Sequence, residues 1–206
     1  MPTDIEENTD KHALIELNRL WEPVRPHLTR QIGDFYGRND GDIVEIGPFS
    51  GLLFDFVRNN IGSSFLMALF PESIINSMTE EAQRLKLQNN ITIKATDERL
   101  SDIPSEAFDL VIFRGAFFFP SFFTADMTAV YRILKRGGIA FVGGGFGIYT
   151  PQNVIERIGK RSAELNQQLG RIRIAKDGIK RMLRSAHLEQ TAEIIDEGGL
   201  WAILRK

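Results

Sequence analysis

The sequence predicts a three-layer α/β domain, a mostly parallel sheet ending in an antiparallel hairpin. Three observations predict it. Short, almost wholly apolar runs alternate with amphipathic helical stretches from residue 43 to residue 142, the pattern of parallel strands covered on both faces. Glycine-rich turns sit at the strand-to-helix junctions. Two extended runs at the end of the chain, residues 191–196 and 200–205, are separated by Glu197-Gly198-Gly199 alone, too short a link for a parallel crossover.

Residues 1–10 are polar and acidic without an apolar period and read as a disordered tail. The remainder, 11–206, reads as one domain, within the range of about 100–200 residues for a single core. Leu14, Leu17 and Trp21, then Val24, Leu28, Ile32 and Phe35, recur at helical spacing. Pro23 and Pro26 divide residues 11–38 into two helices, and Asn39-Asp40-Gly41 marks a turn. Strands follow at 43–46, 64–69, 91–95, 109–113 and 139–142. The helices between them show one-sided apolar faces such as Ile74, Ile75, Met78 and Ala82. Gly137-Gly138 is the expected left-handed cap of the helix carrying Met127, Val130 and Leu134. Two more helices are expected at 153–169 and 176–186.

Composition narrows the function. Hydrophobic residues make up 43% and charged residues 25%, with a formal charge of −2. Such a balance carries no basic field for nucleic acid or an anionic membrane, so a small molecule or a protein side chain is the expected substrate. There are no cysteines, which excludes disulfides, thiolate metal sites and a cysteine nucleophile. His12, His27 and His187 are scattered, so no metal is expected. The acidic N-terminal stretch lacks the basic start and apolar run of a secretion signal. No apolar run is long enough to span a bilayer. A cytoplasmic protein is the expectation, with its oligomeric state open.

The chemistry-bearing residues sit at the strand ends. Val44-Glu45-Ile46-Gly47-Pro48-Phe49-Ser50-Gly51 joins a strand to a helix, where a free helix N-terminus and close backbone approach suit a ligand. The segment resembles motif I of class I S-adenosylmethionine-dependent methyltransferases, an acidic residue followed by Gly-x-Gly-x-Gly. The resemblance implies that the turn wraps the methionine part of the cofactor and that Glu45 fixes its amino end. Gly47 and Gly51 match; Phe49 stands in place of the middle glycine, beside Pro48. Ala68-Leu69-Phe70-Pro71-Glu72 resembles the family's Asp-x-Ser-Pro-Glu after the second strand, with Ala68 replacing the ribose-binding acid and Phe70 beside it. Asp97, after the third strand, falls where the family binds the adenine amino group; taken alone it reads rather as a helix cap or a solvated loop aspartate, and its register with the other motifs favours the family role. The phrase from Ile103 to Val111 and that from Tyr131 to Ile139 resemble "LP…FDLV" and "rvLkpGG". The likeness covers residues 41–142, and the hairpin extends it to the chain end.

Further candidates follow the fourth strand. Arg114 joins the implied cofactor set, with pairing to an acidic substrate and a plain surface arginine both open. Phe117 and Phe118 begin an aromatic cluster that reads either as a substrate-pocket wall or as packing. Trp21 and Tyr36, on helices that resemble the family's lid, are the other pocket candidates. Gly143-Gly144-Gly145-Phe146-Gly147 reads as a mobile loop near the pocket, with a phosphate cradle as the lesser alternative. Arg171, Arg173 and the basic residues after them read as a solvated helix face. The implied fold is thus the Rossmann-like methyltransferase fold, and the implied function is S-adenosylmethionine-dependent methyl transfer to a small molecule. The rival is a domain of this fold that binds another ligand or a partner protein without transfer, motivated by Phe49 and Ala68.

Overall fold

The structure, a computed structural model, describes the backbone of residues 4–206 and side chains from Asp10. Seven strands form one sheet in the order β3-β2-β1-β4-β5-β7-β6. They are β1 (Asp42–Ile46), β2 (Ser64–Leu69), β3 (Thr92–Ala95), β4 (Phe108–Arg114), β5 (Leu134–Gly144), β6 (Ala192–Ile195) and β7 (Leu200–Arg205). The first five pair in parallel, and β7 pairs antiparallel with both β5 and β6. From Ile43 to Ile46 and from Leu110 to Arg114 every residue is buried, whichever face it points to. Both faces of the central strands are therefore covered, which is why their sequences are continuously rather than alternately apolar.

The helices are α1 (Asp4–Leu20), α2 (Arg25–Tyr36), α3 (Leu52–Arg58), α4 (Glu72–Arg84), α5 (Met127–Ile133), α6 (Gln152–Gln168) and α7 (Lys176–Ser185). The break between α1 and α2 is a 3₁₀ turn at Glu22–Val24, where Pro23 and Pro26 interrupt the hydrogen-bond ladder. α1 begins at Asp4, inside the stretch read from sequence as a tail; residues 1–3 lie outside the described residues. A turn already fixed by packing at Ala13, Leu14 and Leu17 propagates at little cost per residue.

Two expectations are corrected at the fourth crossover and at the glycine run. α5 ends at Ile133 with an extended Leu134 rather than at a glycine cap, because Leu134 already pairs with Phe108 in the sheet. Gly137, at φ +78°, instead turns an irregularity in β5, and its N–H donates to the carbonyl of Lys206 at 2.7 Å. The 143–147 run is held rather than loose. A Cβ on Gly143 would lie 2.2 Å from the Leu200 carbonyl oxygen, so glycine there permits β7 to lie against β5.

Register brings the strand ends to one edge. Ile46 lies beside Ala68 and Phe113, Leu69 beside Ala95, and Arg114 beside Gly143, which in turn faces Trp201. The turn at 47–51, Phe70, Asp97, Arg114 and Phe146 therefore share the carboxyl edge of the sheet. Strand order reverses there between β1 and β4, the position where open α/β sheets bind ligands.

Candidate active site

Glu45 is fully buried at the end of β1. Its carboxylate accepts the N–H groups of Gly51, Leu52 and Leu53 at 2.9, 3.2 and 3.3 Å, so it caps α3 from the neighbouring strand. Burial pushes its pKa above the ordinary carboxylate range, against the pull of Arg114 and the three N–H groups. Its role is to shape the turn. Asn18 of α1 clamps the same turn, donating to the Pro48 carbonyl at 2.7 Å and accepting from the Ser50 N–H at 3.2 Å. The carbonyl of Asn18 receives Arg25 at 2.8 Å. The first helix is thus bonded to the turn rather than merely lying over it.

Phe49 points away from this network. Its ring is buried, lies 4.4 Å centroid to centroid from Phe119, and covers Gly115, where a Cβ would come within 2.2 Å of the ring. Two hollows flank the turn, one lined by Pro48 and the other by Phe49. On one side, an open cleft of about 930 Å³ is lined by Pro48, Phe70, Asp97, Phe122 and Phe123. On the other, a cavity of about 460 Å³ lies under α1 and α6, lined by Trp21, Phe49, Arg114, Phe118 and Phe146. Both volumes fall in the range of small-molecule sites.

In the cleft, Phe70 meets Phe113 and Phe123 edge-on at 6.2 and 5.4 Å. Asp97 is exposed and accepts the Ser101 N–H at 2.9 Å; that bond, first of all, holds its pKa below the ordinary range. The Glu98 carboxylate accepts the Thr124 N–H at 3.0 Å, tying the segment after β4 to the loop after β3. In the cavity, Trp21 stacks on Phe146 at 4.8 Å and donates to Ser162 Oγ at 2.9 Å. The Arg114 guanidinium lies 5.2 Å over the Trp21 ring, within cation–π range. Its Nη1 is buried without a hydrogen-bond partner. Burial lowers its pKa to about 10, with Glu45 opposing and the like charge of Arg25 adding to the fall.

All but two of the residues singled out from sequence fall into three groups. Pro48, Phe70 and Asp97 line the cleft; Phe49, Arg114, Trp21 and Phe118 line the cavity. Glu45, Gly47 and Gly51 build the turn behind and line neither hollow. Tyr36 is displaced altogether. Its hydroxyl donates to the Asp40 carbonyl at 2.5 Å at the amino edge of the sheet, because α2 runs back toward the start of β1. Phe117 is buried against Phe118 at 6.4 Å and is packing, not wall. Arg171 and Arg173 are not on a helix: they lie between α6 and α7 and line the cavity. Sequence reasoning missed Phe146, Ser162 and Asn166 as cavity residues; the Ser162/Asn166 spacing of four on one helix face was the available signal. Among the described residues, no group of three or more His, Asp or Glu is placed to hold a metal ion.

The fold is shared with solved structures. A candidate S-adenosyl-L-methionine-dependent methyltransferase from Methanococcus maripaludis superposes with a TM-score of 0.73 at 24% identity, covering 98% of this chain and 91% of that one. The chain has the class I methyltransferase fold. PigF, solved with SAH, matches at TM-score 0.65 and 17% identity over 92% of this chain, which spans 56% of that protein. A geranyl diphosphate C-methyltransferase from Streptomyces coelicolor matches at 0.57 and 12% identity, with 86% and 76% of the two chains covered. No protein-family model matches the chain, and no curated protein matches it.

Set against S-adenosylmethionine, the methyltransferase scaffold fits unevenly. The cleft offers aromatic faces and an exposed carboxylate, suited to a nucleoside. Ala68 is fully buried and outside the cleft, so the end of β2 presents no acid to a ribose. The Phe49–Phe119 pair lines the cavity side of the turn, next to Pro48 on the cleft side.

Proposed function

We propose that the chain is an S-adenosylmethionine-dependent methyltransferase acting on a small molecule. The observation that carries this is the placement of two ligand-sized hollows on either side of one turn, Pro48-Phe49, at the switch point of a methyltransferase-fold sheet. Asp97 would accept hydrogen bonds from the adenosyl half, with Phe70 against its flat face. The turn shaped by Glu45, Gly47 and Gly51 would carry the amino-acid half, and the acceptor would occupy the Arg114 cavity. The cofactor supplies an electrophilic sulfonium methyl group. The chain supplies alignment and a largely aromatic wall; among the described residues no Asp, Glu or His lines the cavity. The solved relative named for geranyl diphosphate supports a small-molecule acceptor. Among the described residues no helix is long and apolar enough to cross a membrane, and a cytoplasmic setting belongs to the same proposal.

A ligand-binding domain without transfer is the second reading, and the Phe49–Phe119 contact favours it. Calorimetry separates the two. Transfer requires saturable binding of both S-adenosylmethionine and S-adenosylhomocysteine; no heat with either at millimolar concentration would leave the second reading standing. Phe49→Ala is expected to tighten S-adenosylhomocysteine binding at least several-fold, because the ring no longer has to be displaced. Unchanged affinity would show that the ring is no barrier.

A further inference from the structure

The cavity under α1 and α6 has a charge pattern that methyl transfer alone does not require. Arg114 is 6% exposed and sits at its floor with an unpartnered Nη1. The carboxylate that acts on it through space, Glu45, already accepts three N–H groups of α3. Arg171 and Arg173 are exposed and stand at the mouth. Arg171 lies 5.0 Å over the Phe118 ring, and the charge acting on it is the like charge of Arg173. Among the described residues, no aspartate or glutamate lines the cavity to balance these three cations. The remaining wall is largely apolar, with Trp21, Phe146 and Phe118 at its centre.

A buried guanidinium nitrogen left without a hydrogen-bond partner is costly unless an acceptor completes it. Its planar fork matches an oxyanion in two-point contact. We propose that the cavity binds an apolar carboxylic acid, its carboxylate on Arg114, its body against Trp21, Phe146 and Phe118, with Arg171 and Arg173 drawing the anion in. The buried charge of Arg114 is already partly offset by Glu45 and the wall around it is largely apolar, which suits a monoanionic carboxylate better than a strongly hydrated dianion. Arg114 lines the cavity on the Phe49 side of the turn while Asp97 lines the cleft on the Pro48 side, which assigns the acid to the acceptor rather than to the cofactor. In naming it the acceptor, the inference rests on the methyl-transfer reading; the binding of an acid does not.

The test uses the full chain and 2-naphthoate, with neutral 2-naphthamide as its control, in calorimetric titrations. Naphthoate is expected to bind one to one, and the amide at least tenfold more weakly. Arg114→Gln should lose tenfold or more in naphthoate affinity while keeping its circular dichroism melt. Should that variant fail to fold, the surface double variant Arg171→Gln/Arg173→Gln keeps the question open to measurement. It should bind naphthoate several-fold more weakly and flatten the salt dependence. Equal binding of acid and amide, no saturable naphthoate binding at millimolar concentration, or full affinity in either variant would overturn the proposal. Saturating S-adenosylhomocysteine should leave naphthoate affinity within threefold; displacement would assign Arg114 to the cofactor's carboxylate and also overturn it. Naphthoate binding without any S-adenosylhomocysteine binding would sink methyl transfer and leave the acid site standing.

Discussion

Glu45 shows how a residue that the family resemblance implies for a ligand can be engaged by its own fold. The resemblance points to it as a cofactor contact, but its oxygens are consumed by the N–H groups of Gly51, Leu52 and Leu53. Glu45→Gln presents an NH₂ to that cluster of donors. The expected loss is about 2 kcal/mol, the scale of hydrogen bonds to a charged group, or a melting temperature lower by about 4–8 °C. A scanning calorimetry trace matching the parent would contradict the capping role. The cleft-lining residues were legible where motif and strand end coincide, as at Phe70 and Asp97. Tyr36 was not, because helical periodicity assigns a face but not the end of the sheet that face reaches. Arg171 and Arg173 were missed because a run of basic residues looks the same in sequence whether it faces solvent or a cavity mouth.

Between elements, the decisive contacts are those that no single segment encodes. Asn18 reaches from α1 to the Pro48 carbonyl and the Ser50 N–H across some thirty positions of sequence, and nothing local to either segment announces it. The β5–β7 contact was half visible: the hairpin followed from a three-residue link, while the purpose of the 143–147 glycines did not. Their φ angles of +146° at Gly143 and +155° at Gly145 answer the close approach of residues 198–200, a partner distant in sequence. Gly143→Ala places a Cβ 2.2 Å from the Leu200 oxygen, a contact that only a backbone shift relieves. We expect destabilisation of about 2–4 kcal/mol, read as a lower urea midpoint. Retention of the parent midpoint would mean that β7 is free to move aside. The misplaced helix end has a similar cause, since Leu134 is claimed by β4 before a glycine cap can form.

At the scale of the molecule, the two hollows and an ion cluster occupy opposite edges of one sheet. The amino edge carries an ion cluster: Lys135 donates to Asp109 at 2.8 Å and also to Asp42. Hydrogen bonds from Lys135 and then Ser64 hold the Asp42 pKa below the ordinary range. At Asp109 burial pulls upward, but the bonds from Lys135 and the Asp42 N–H prevail and its pKa also falls. A carboxyl with a depressed folded pKa stabilises fully above its unfolded value, about 4, and loses that contribution as pH falls through the folded value. Stability should therefore drop between about pH 4 and lower values. Glu45 and Asp55, raised chiefly by burial, act in the opposite sense, so the variant must be compared with the parent. Asp42→Asn should lower stability near pH 5 and lose less on acidification; an identical acid profile in urea titrations would contradict the assignment.

The carboxyl edge holds the two hollows, and the account stands or falls on whether the one beside Asp97 takes a nucleoside. The direct measurement is isothermal titration of the full chain with S-adenosylhomocysteine, run in parallel on Asp97→Ala, whose side chain lies exposed in the cleft. Saturable one-to-one binding, weakened at least tenfold in the variant, is the predicted result. No binding at millimolar ligand, or equal binding by both chains, would contradict it.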